Sequence, residues 1–247
     1  MKPTLYAACD FSYFCDHGYA LAKSAADNNM KIVIEMFPTL DGDYVSMFDR
    51  FFANWVTKRD EAIFEHVDLR GADEKLFTDL LTTLTIEDRR AFYACYRFLA
   101  APRWLHDDDN ILIIDADSII RNPVELPDGF DLGLYLREGN VVGANTWEVE
   151  GMKVAAGAVF LTRRASAFAV DVANHIIYNP VKWFADQAAL WAAYGKYKDT
   201  LNVVRLDELP VVDWDFIDGT MIWTGKGRRK FDDPKYVAAK ATIDALE

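Results

Sequence analysis

Ile111-Leu112-Ile113-Ile114-Asp115-Ala116-Asp117 is the stretch that decides how this chain is read: four branched aliphatic residues run straight into two carboxylates one residue apart. An unbroken apolar run of that length reads as a strand covered on both faces. If strand geometry continues through the acids, Asp115 and Asp117 project to the same side. Unpartnered in a cleft, two such carboxylates repel and raise one another's pKa, whereas a divalent ion between them favours both charged forms and keeps open positions for phosphate oxygens. Asp-x-Asp is also a common solvated turn in acidic chains, so its position has to carry the argument. In open α/β sheets ligands collect outside the carboxyl ends of the strands, which is where this pair falls.

Upstream of that strand the pattern is helical. Thr85 with Asp88 three residues on resembles an N-cap pairing, Phe92, Cys95, Tyr96 and Leu99 make a core stripe with Tyr93 and Arg97 at its edge, and Pro102 is expected to end the helix. Strand patterns at Leu5–Cys9, Lys31–Phe37, Phe64–Leu69, Ile111–Ile114 and Leu132–Leu136 alternate with helical ones, as in βαβ units with a largely parallel sheet. Downstream come an apolar strand from Val154 to Leu161, an amphipathic helix from about Ser166 to Tyr178, a shorter one over Ala185–Tyr194, irregular extended pieces over Leu201–Asp215, a last strand at Met221–Trp223 and a terminal helix after Pro234. With no repeat, low-complexity tract or Gly/Ser/Pro-rich linker, the expectation is a single α/β domain over residues 1–247, in two halves, 1–120 and 121–247.

Composition narrows the class. A chain of 247 residues that is 51% hydrophobic and 14% aromatic can bury a full core. The net charge of -12 argues against a protein whose main business is gripping a nucleic-acid backbone, because that affinity comes from Lys and Arg on phosphates. No apolar stretch approaches the length of a membrane span and the N-terminus lacks a signal-peptide core, so a cytoplasmic protein is expected. Cys9, Cys15 and Cys95 have no metal-ligand spacing and read as small buried hydrophobes of a reducing compartment.

Three further groups carry candidate chemistry. Gly225-Lys226-Gly227-Arg228-Arg229-Lys230 reverses the acidic balance locally, and its glycines and cations suit a diphosphate clamp as well as an exposed basic turn. Asp186-Gln187 opens a helix and can contact sugar hydroxyls, although an acid in a first turn is favourable in any helix. Asp10, Ser12 and Tyr13 follow the first strand, where a doubly wound sheet receives a nucleotide and Tyr13 can stack on a base. The Gly-x-Ser-x-Gly elbow, the dinucleotide fingerprint and the P-loop are all missing, and the four histidines form no i, i+4 pair.

Taken in order, these motifs resemble a GT-A glycosyltransferase, and most closely the retaining, family 8-like group that includes glycogenin and the bacterial lipopolysaccharide galactosyltransferases. The likeness runs from the first strand to about Lys230. The family places a Tyr/Arg-Leu helix before its Asp-x-Asp strand, matched by Tyr96-Arg97-Phe98-Leu99 ahead of Ile111–Asp117. Its Asn-Ala-Gly strand and Asp-Gln helix are matched by Ala155-Ala156-Gly157, where Ala155 replaces the Asn, and by Asp186-Gln187. Its closing His-x-x-Gly-x-x-Lys is matched by Thr224 to Lys230, keeping Gly227 and Lys230 but placing Thr224 at the metal-ligand position. Cys9 falls about where the family often carries a base-reading acid, with Asp10 adjacent.

The resemblance implies a GT-A fold with a mostly parallel central sheet flanked by helices, and sugar transfer from a nucleoside diphosphate sugar, a UDP-sugar in most of the family, to a glycan or other hydroxyl acceptor. It implies manganese or magnesium on Asp115 and Asp117, donor contacts from Arg97, Lys226, Gly227 and Lys230, and sugar contacts from Asp186 and Gln187. Two other readings stay open at this point. A sugar-phosphate nucleotidyltransferase uses a related sheet but carries a glycine-rich loop with Arg and Lys after its first strand, whereas Cys9–Gly18 holds one glycine and no Lys or Arg. A nucleotide-sugar-binding module without catalysis is suggested by Thr224 and Ala155.

Overall fold

The computed structural model describes residues 1–37, 65–71, 86–137, 153–225 and 227–244. Its strands are β1 (Thr4–Asp10), β2 (Ile32–Phe37), β3 (Val67–Gly71), β4 (Asn110–Ile114), β5 (Ser118–Ile120), β6 (Leu132–Leu136), β7 (Val154–Thr162), β8 (Val203–Arg205), β9 (Val212–Asp213) and β10 (Ile222–Thr224). Its longer helices are α1 (Tyr19–Asp27), α2 (Ile86–Asp107), α3 (Ser166–Tyr178) and α4 (Ala185–Tyr197), followed by a short α5 (Arg229–Asp232) and a terminal α6 (Pro234–Asp244). Phe64 and the proposed Thr85–Asp88 cap lie outside the residues whose side chains are described.

Among the described residues seven strands form the central sheet in the order β3-β2-β1-β4-β7-β6-β8. β1 is parallel to both β2 and β4, β2 to β3, and β6 to β8, while β7 runs antiparallel to both of its neighbours. The sheet is therefore mostly parallel, with one reversed strand. Side chains alternate between its faces as strand geometry requires. Tyr6, Ile111 and Ile113 join α2, α3 and α4 in one core, whereas Leu5, Ala7, Cys9, Leu112 and Ile114 join α1 and the edge of a second sheet in another. Ile111 through Ile114 are each 0% exposed, which is the double coverage expected of a continuous apolar strand.

The second sheet has three strands in the order β5-β10-β9. Its consequence for the site is positional. β5 begins one residue after Asp117, and its antiparallel pairing with β10 sets Ser118 opposite Thr224. A residue more than a hundred positions downstream is thereby held beside the carboxylates.

Pro102 does not end its helix: α2 runs on to Asp107. A proline inside a helix removes one backbone bond and costs about 3 kcal/mol. The turn beyond it is kept because Trp104 and Leu105, 0% and 1% exposed, are buried there, each gaining about 1.5–3 kcal/mol. Trp104 stacks on Tyr6 at 4.6 Å and donates its Nε1–H to Glu35 at 2.8 Å. Glu35 is a carboxylate inside an otherwise apolar strand, and it also accepts from Arg103 at 2.6 Å and from the Tyr96 hydroxyl at 3.0 Å. Of the cysteines, Cys9 and Cys95 are buried as expected but Cys15 is exposed. Among the described residues no helix is long and apolar enough to cross a membrane.

Candidate active site

In the strand order, β1 is continued on one side by β2 and bordered on the other by β4, so the crevice outside the carboxyl ends of β1 and β4 is a topological switch point. Asp10 ends β1, and Asp115 follows β4 directly. The sequence expectation that strand geometry carries through the acids does not hold. The strand stops at Ile114, and Asp115-Ala116-Asp117 is a turn closed by the Ser118 N–H on the Asp115 carbonyl at 3.1 Å. Both carboxylates nevertheless belong to one cluster, Asp115 met by Arg97 from α2 and Asp117 by Lys230 from α5.

Arg97 is the hub of that cluster. It sits on α2, 6% exposed, and donates Nη1 to Asp115 and Nη2 to Asp186 at 3.5 Å. Its planar fork thus joins the turn after β4 to the first turn of α4. Asp186, 5% exposed, also accepts from the backbone N–H of Gln187 at 2.8 Å. Burial raises the Asp186 carboxyl above its ordinary range, against the pull of Arg97. Two buried polar atoms here have no hydrogen-bond partner among the described residues: Arg97 Nε and Gln187 Oε1. Buried polar groups are nearly always satisfied, so both atoms call for a polar partner beyond the described residues.

Asp117 is held from the opposite side. Its Oδ2 accepts from the Tyr13 hydroxyl at 2.8 Å and from the Lys230 ammonium at 2.9 Å, and Lys230 donates to the Tyr13 oxygen as well. Burial and then the neighbouring Asp115 raise the Asp117 carboxyl, while Lys230 and Tyr13 pull it down. Its backbone is fixed too, the Asp117 carbonyl accepting from Gly225 N–H at 3.0 Å and from the Tyr236 hydroxyl at 2.6 Å. Thr224, 1% exposed, brings its hydroxyl to 3.5 Å from Asp115 Oδ2. Gly157 faces the same oxygen: a Cβ there would lie 2.9 Å from it. The glycine of the Ala155-Ala156-Gly157 strand therefore leaves the space that the Asp115 carboxylate fills.

The other candidates fall as follows. Asp10 accepts from the Tyr13 backbone N–H at 2.8 Å and so acts as the cap of the short helical turn Phe11–Tyr13. Tyr13 has its hydroxyl committed to Asp117 and Lys230 and the Lys230 ammonium 4.8 Å from its ring centre, which sets it among the acids and not on a free stacking face. Ser12 is exposed and lies in the short helical turn Phe11–Tyr13. Gly227 has φ 62, a left-handed conformation natural to glycine, in the turn that leads to Lys230 on α5. Lys226 lies outside the described residues. The participants that sequence reasoning missed are Tyr236 and the Tyr13 hydroxyl, since no pattern in the chain links a terminal helix to a turn 119 residues earlier.

No family model matches this sequence, and neither does any curated protein. Solved structures do match. The mouse xyloside xylosyltransferase 1 apo structure aligns over 93% of this chain and 99% of that chain, with TM-score 0.53 and 9% identity. The apo structure of the bifunctional glycosyltransferase WbbM aligns over 97% of this chain with TM-score 0.53 and 15% identity, and GlyE of Streptococcus pneumoniae over 100% of this chain with TM-score 0.51 and 14% identity. The chain has a glycosyltransferase fold. It spans nearly all of the first of these proteins but 44% and 62% of the other two. Within that GT-A-like fold the acids, Arg97 and Lys230 stand at the sheet's switch point.

The metal that the sequence resemblance implies can be tested against these side chains. Among the described residues no group of three or more His, Cys, Asp and Glu could form a metal cage of its own. Magnesium does not need one: it is commonly held by one or two carboxylates and completes its shell with substrate phosphates and water. Asp115, Asp117 and the Thr224 hydroxyl are hard oxygen donors of that kind, and the raised carboxyl of Asp117 is a group that an added cation would relieve. The donor set fits.

Proposed function

We propose that this chain is a glycosyltransferase that moves a sugar from a nucleoside diphosphate sugar, with UDP as the nucleotide, to an acceptor hydroxyl, with retention and in the manner of the family 8-like enzymes. The single observation that carries the reading is the convergence of Asp115, Asp117, Arg97, Lys230 and Asp186-Gln187 at the switch point of a glycosyltransferase fold. Neighbours in fold that are named as glycosyltransferases support it. On this reading the whole chain is one catalytic domain.

Transfer breaks the bond between the anomeric carbon and a diphosphate oxygen, makes one from that carbon to the acceptor oxygen, and frees the acceptor's proton. Negative charge grows on the departing diphosphate, so preorganised cations beside it lower the barrier most. We assign this role to Lys230, which already meets Asp117, with Lys226 of the same basic run, while Arg97 joins Asp115 to Asp186. Asp115 and Asp117, with Thr224, would hold magnesium or manganese, which when bound neutralises diphosphate charge. A hydroxyl is a poorer partner for manganese than an imidazole, so magnesium should serve well. Gln187 Oε1, buried and unpartnered among the described residues, accepts from a donor-sugar hydroxyl.

Two experiments test this reading. UDP is expected to raise the melting temperature only when magnesium or manganese is present, since ligand at roughly 100 times its Kd adds about 2.7 kcal/mol. Equal stabilisation in excess EDTA would remove the metal bridge, and no stabilisation under any condition would remove the nucleotide site. The second is Gly157→Ala, which crowds Asp115 Oδ2 without touching the core. Displacing a reacting-site group by about 1 Å can cost on the order of 100-fold, so transfer should fall by that order while the melting temperature moves by no more than about 4 °C. A variant with unchanged transfer kinetics would show that the position of Asp115 does not matter.

A further inference from the structure

Arg137 follows β6 directly and is half-buried, yet among the described residues no carboxylate pairs with its guanidinium. Its Cζ lies 5.4 Å from the centre of the Trp214 ring, and that ring lies 4.4 Å from the ring of Tyr135. Burial pulls the Arg137 pKa below its ordinary value, with Tyr135 working against that. A charge held half out of water without a counter-charge is costly, so a ligand that brings one is favoured there. The acids of the neighbourhood are engaged elsewhere. Asp207 accepts from the Leu136 N–H at 3.0 Å and from Arg205 at 2.7 Å, Asp213 from the N–H groups of Asp215 and Ile217 at 3.1 and 2.7 Å, and Asp215 from Arg229.

Two routes through the sheets place this arginine beside the site carboxylates. β6 and β4 are both antiparallel to β7 and so run the same way, which brings Arg137 out at the sheet edge where Asp115 leaves β4. Tyr135 pairs with Ala155, two residues before the Gly157 that leaves room for Asp115 Oδ2, and two residues of strand span about 7 Å. The second sheet gives the other route. β9 lies parallel to β10 with Asp213 beside Trp223, so Trp214 and Thr224 are the next residues along two chains about 4.8 Å apart. The Thr224 hydroxyl is 3.5 Å from Asp115 Oδ2, and the Trp214 carbonyl accepts from Arg229, the neighbour of Lys230, at 2.7 Å.

We propose that Arg137, seated on Trp214, binds the carboxylate of a uronate sugar at this site. The proposal rests on the transferase reading given above, the uronate being one of the two sugars that are joined, the donor's or the acceptor's. With one face on the indole, the guanidinium still offers its in-plane N–H donors, whose fork matches a planar carboxylate with two parallel bonds. A phosphate shares that fit but carries close to two negative charges at neutral pH. Asp207, Asp213 and Asp215, whose charges reach Tyr135, oppose a dianion about twice as strongly as a monoanion. The carboxylate is therefore the better guest.

Binding measurements with uronates test this and separate the two sources. With magnesium present, UDP-glucuronate and UDP-galacturonate are set against UDP-glucose and UDP-galactose by calorimetry. With UDP and magnesium bound, free glucuronate and galacturonate are set against glucose and galactose by saturation-transfer NMR. In at least one arm a uronate should bind about tenfold more tightly than its neutral counterpart, and Arg137→Gln should erase that preference while Arg137→Lys keeps part of it. Preference in the first arm makes the carboxylate the donor's, and in the second the acceptor's. UDP itself should bind Arg137→Gln within about twofold of wild type, which also shows that the variant is folded. The proposal is overturned by no preference in either arm, by a preference that survives in Arg137→Gln, or by a UDP affinity that drops about tenfold in that variant, which would put the guanidinium on the diphosphate. Failure of the transferase reading looks different: the UDP-dependent thermal shift would then be missing from the wild-type protein itself.

Discussion

Arg97→Ala is expected to destabilise the folded chain by about 3–5 kcal/mol, because it leaves the buried Asp186 carboxylate, and the half-buried Asp115 beside it, without their shared cation. Asp186 is 5% exposed and already raised by burial, and Asp115 loses the guanidinium that fixes its orientation. For a chain of this size the loss corresponds to a fall in melting temperature of roughly 6–20 °C, read by thermal or urea unfolding. Arg97→Lys separates charge from geometry: an ammonium keeps one positive charge but cannot reach both acids with a planar fork. It should recover part of the stability and little of the transfer activity. An Arg97→Ala protein that melts within about 1 °C of wild type would mean that the bridge between Asp115 and Asp186 contributes nothing.

What could be read from the sequence follows how local each feature is. The four aliphatic residues Ile111–Ile114 announce a doubly covered strand because that property depends only on consecutive side chains, and α3 over Ser166–Tyr178 is read equally well because its apolar periodicity is unbroken. Pro102 misleads because its local cost is set against the burial of Trp104 and Leu105, which depends on where the sheet lies. Glu35 is similar: a carboxylate in a buried strand makes sense only once Tyr96, Arg103 and Trp104 arrive from α2.

The candidate site shows the same division. Asp115, Asp117, Arg97, Asp186 and Lys230 were each nameable from motif order, and the structure brings them together, yet the reason they meet is tertiary. Arg97 lies at the edge of the α2 stripe, so it looks solvated in the sequence although two acids bury it. Thr224 stands at a position the resemblance marks for histidine, and only the β5–β10 pairing shows that it faces Asp115. Gly157 is matched in the sequence by motif position alone, and only the fold shows the Asp115 carboxylate in the space that a Cβ would take. Tyr236 leaves no trace at all, since one tyrosine in a terminal helix has nothing to single it out.

Asp117→Ala is expected to abolish metal-dependent UDP stabilisation and to slow transfer on the order of 100-fold or more, the usual cost of losing a preorganised charge contact. The comparison with Lys230→Ala decides what the pair does. Asp117 and Lys230 meet directly at 2.9 Å, with the Tyr13 hydroxyl bonded to both, so in the free protein each is the other's partner. On the proposed mechanism that partnership is temporary: the Asp117 carboxylate would help to hold a bound divalent cation, and the Lys230 ammonium so released would turn to the diphosphate. Lys230→Ala should therefore keep the metal dependence of UDP binding while weakening the affinity itself, and Asp117→Ala should lose the metal dependence first. A double-mutant cycle reads the exchange, because the coupling between positions 117 and 230 measured by unfolding of the free protein should shrink when UDP and magnesium are bound. Coupling that is unchanged by ligand would make the pair a structural salt bridge and nothing more. Near-native turnover by Asp117→Ala with a verified donor would go further, returning Asp115-Ala116-Asp117 to the ordinary acidic turn that follows many strands.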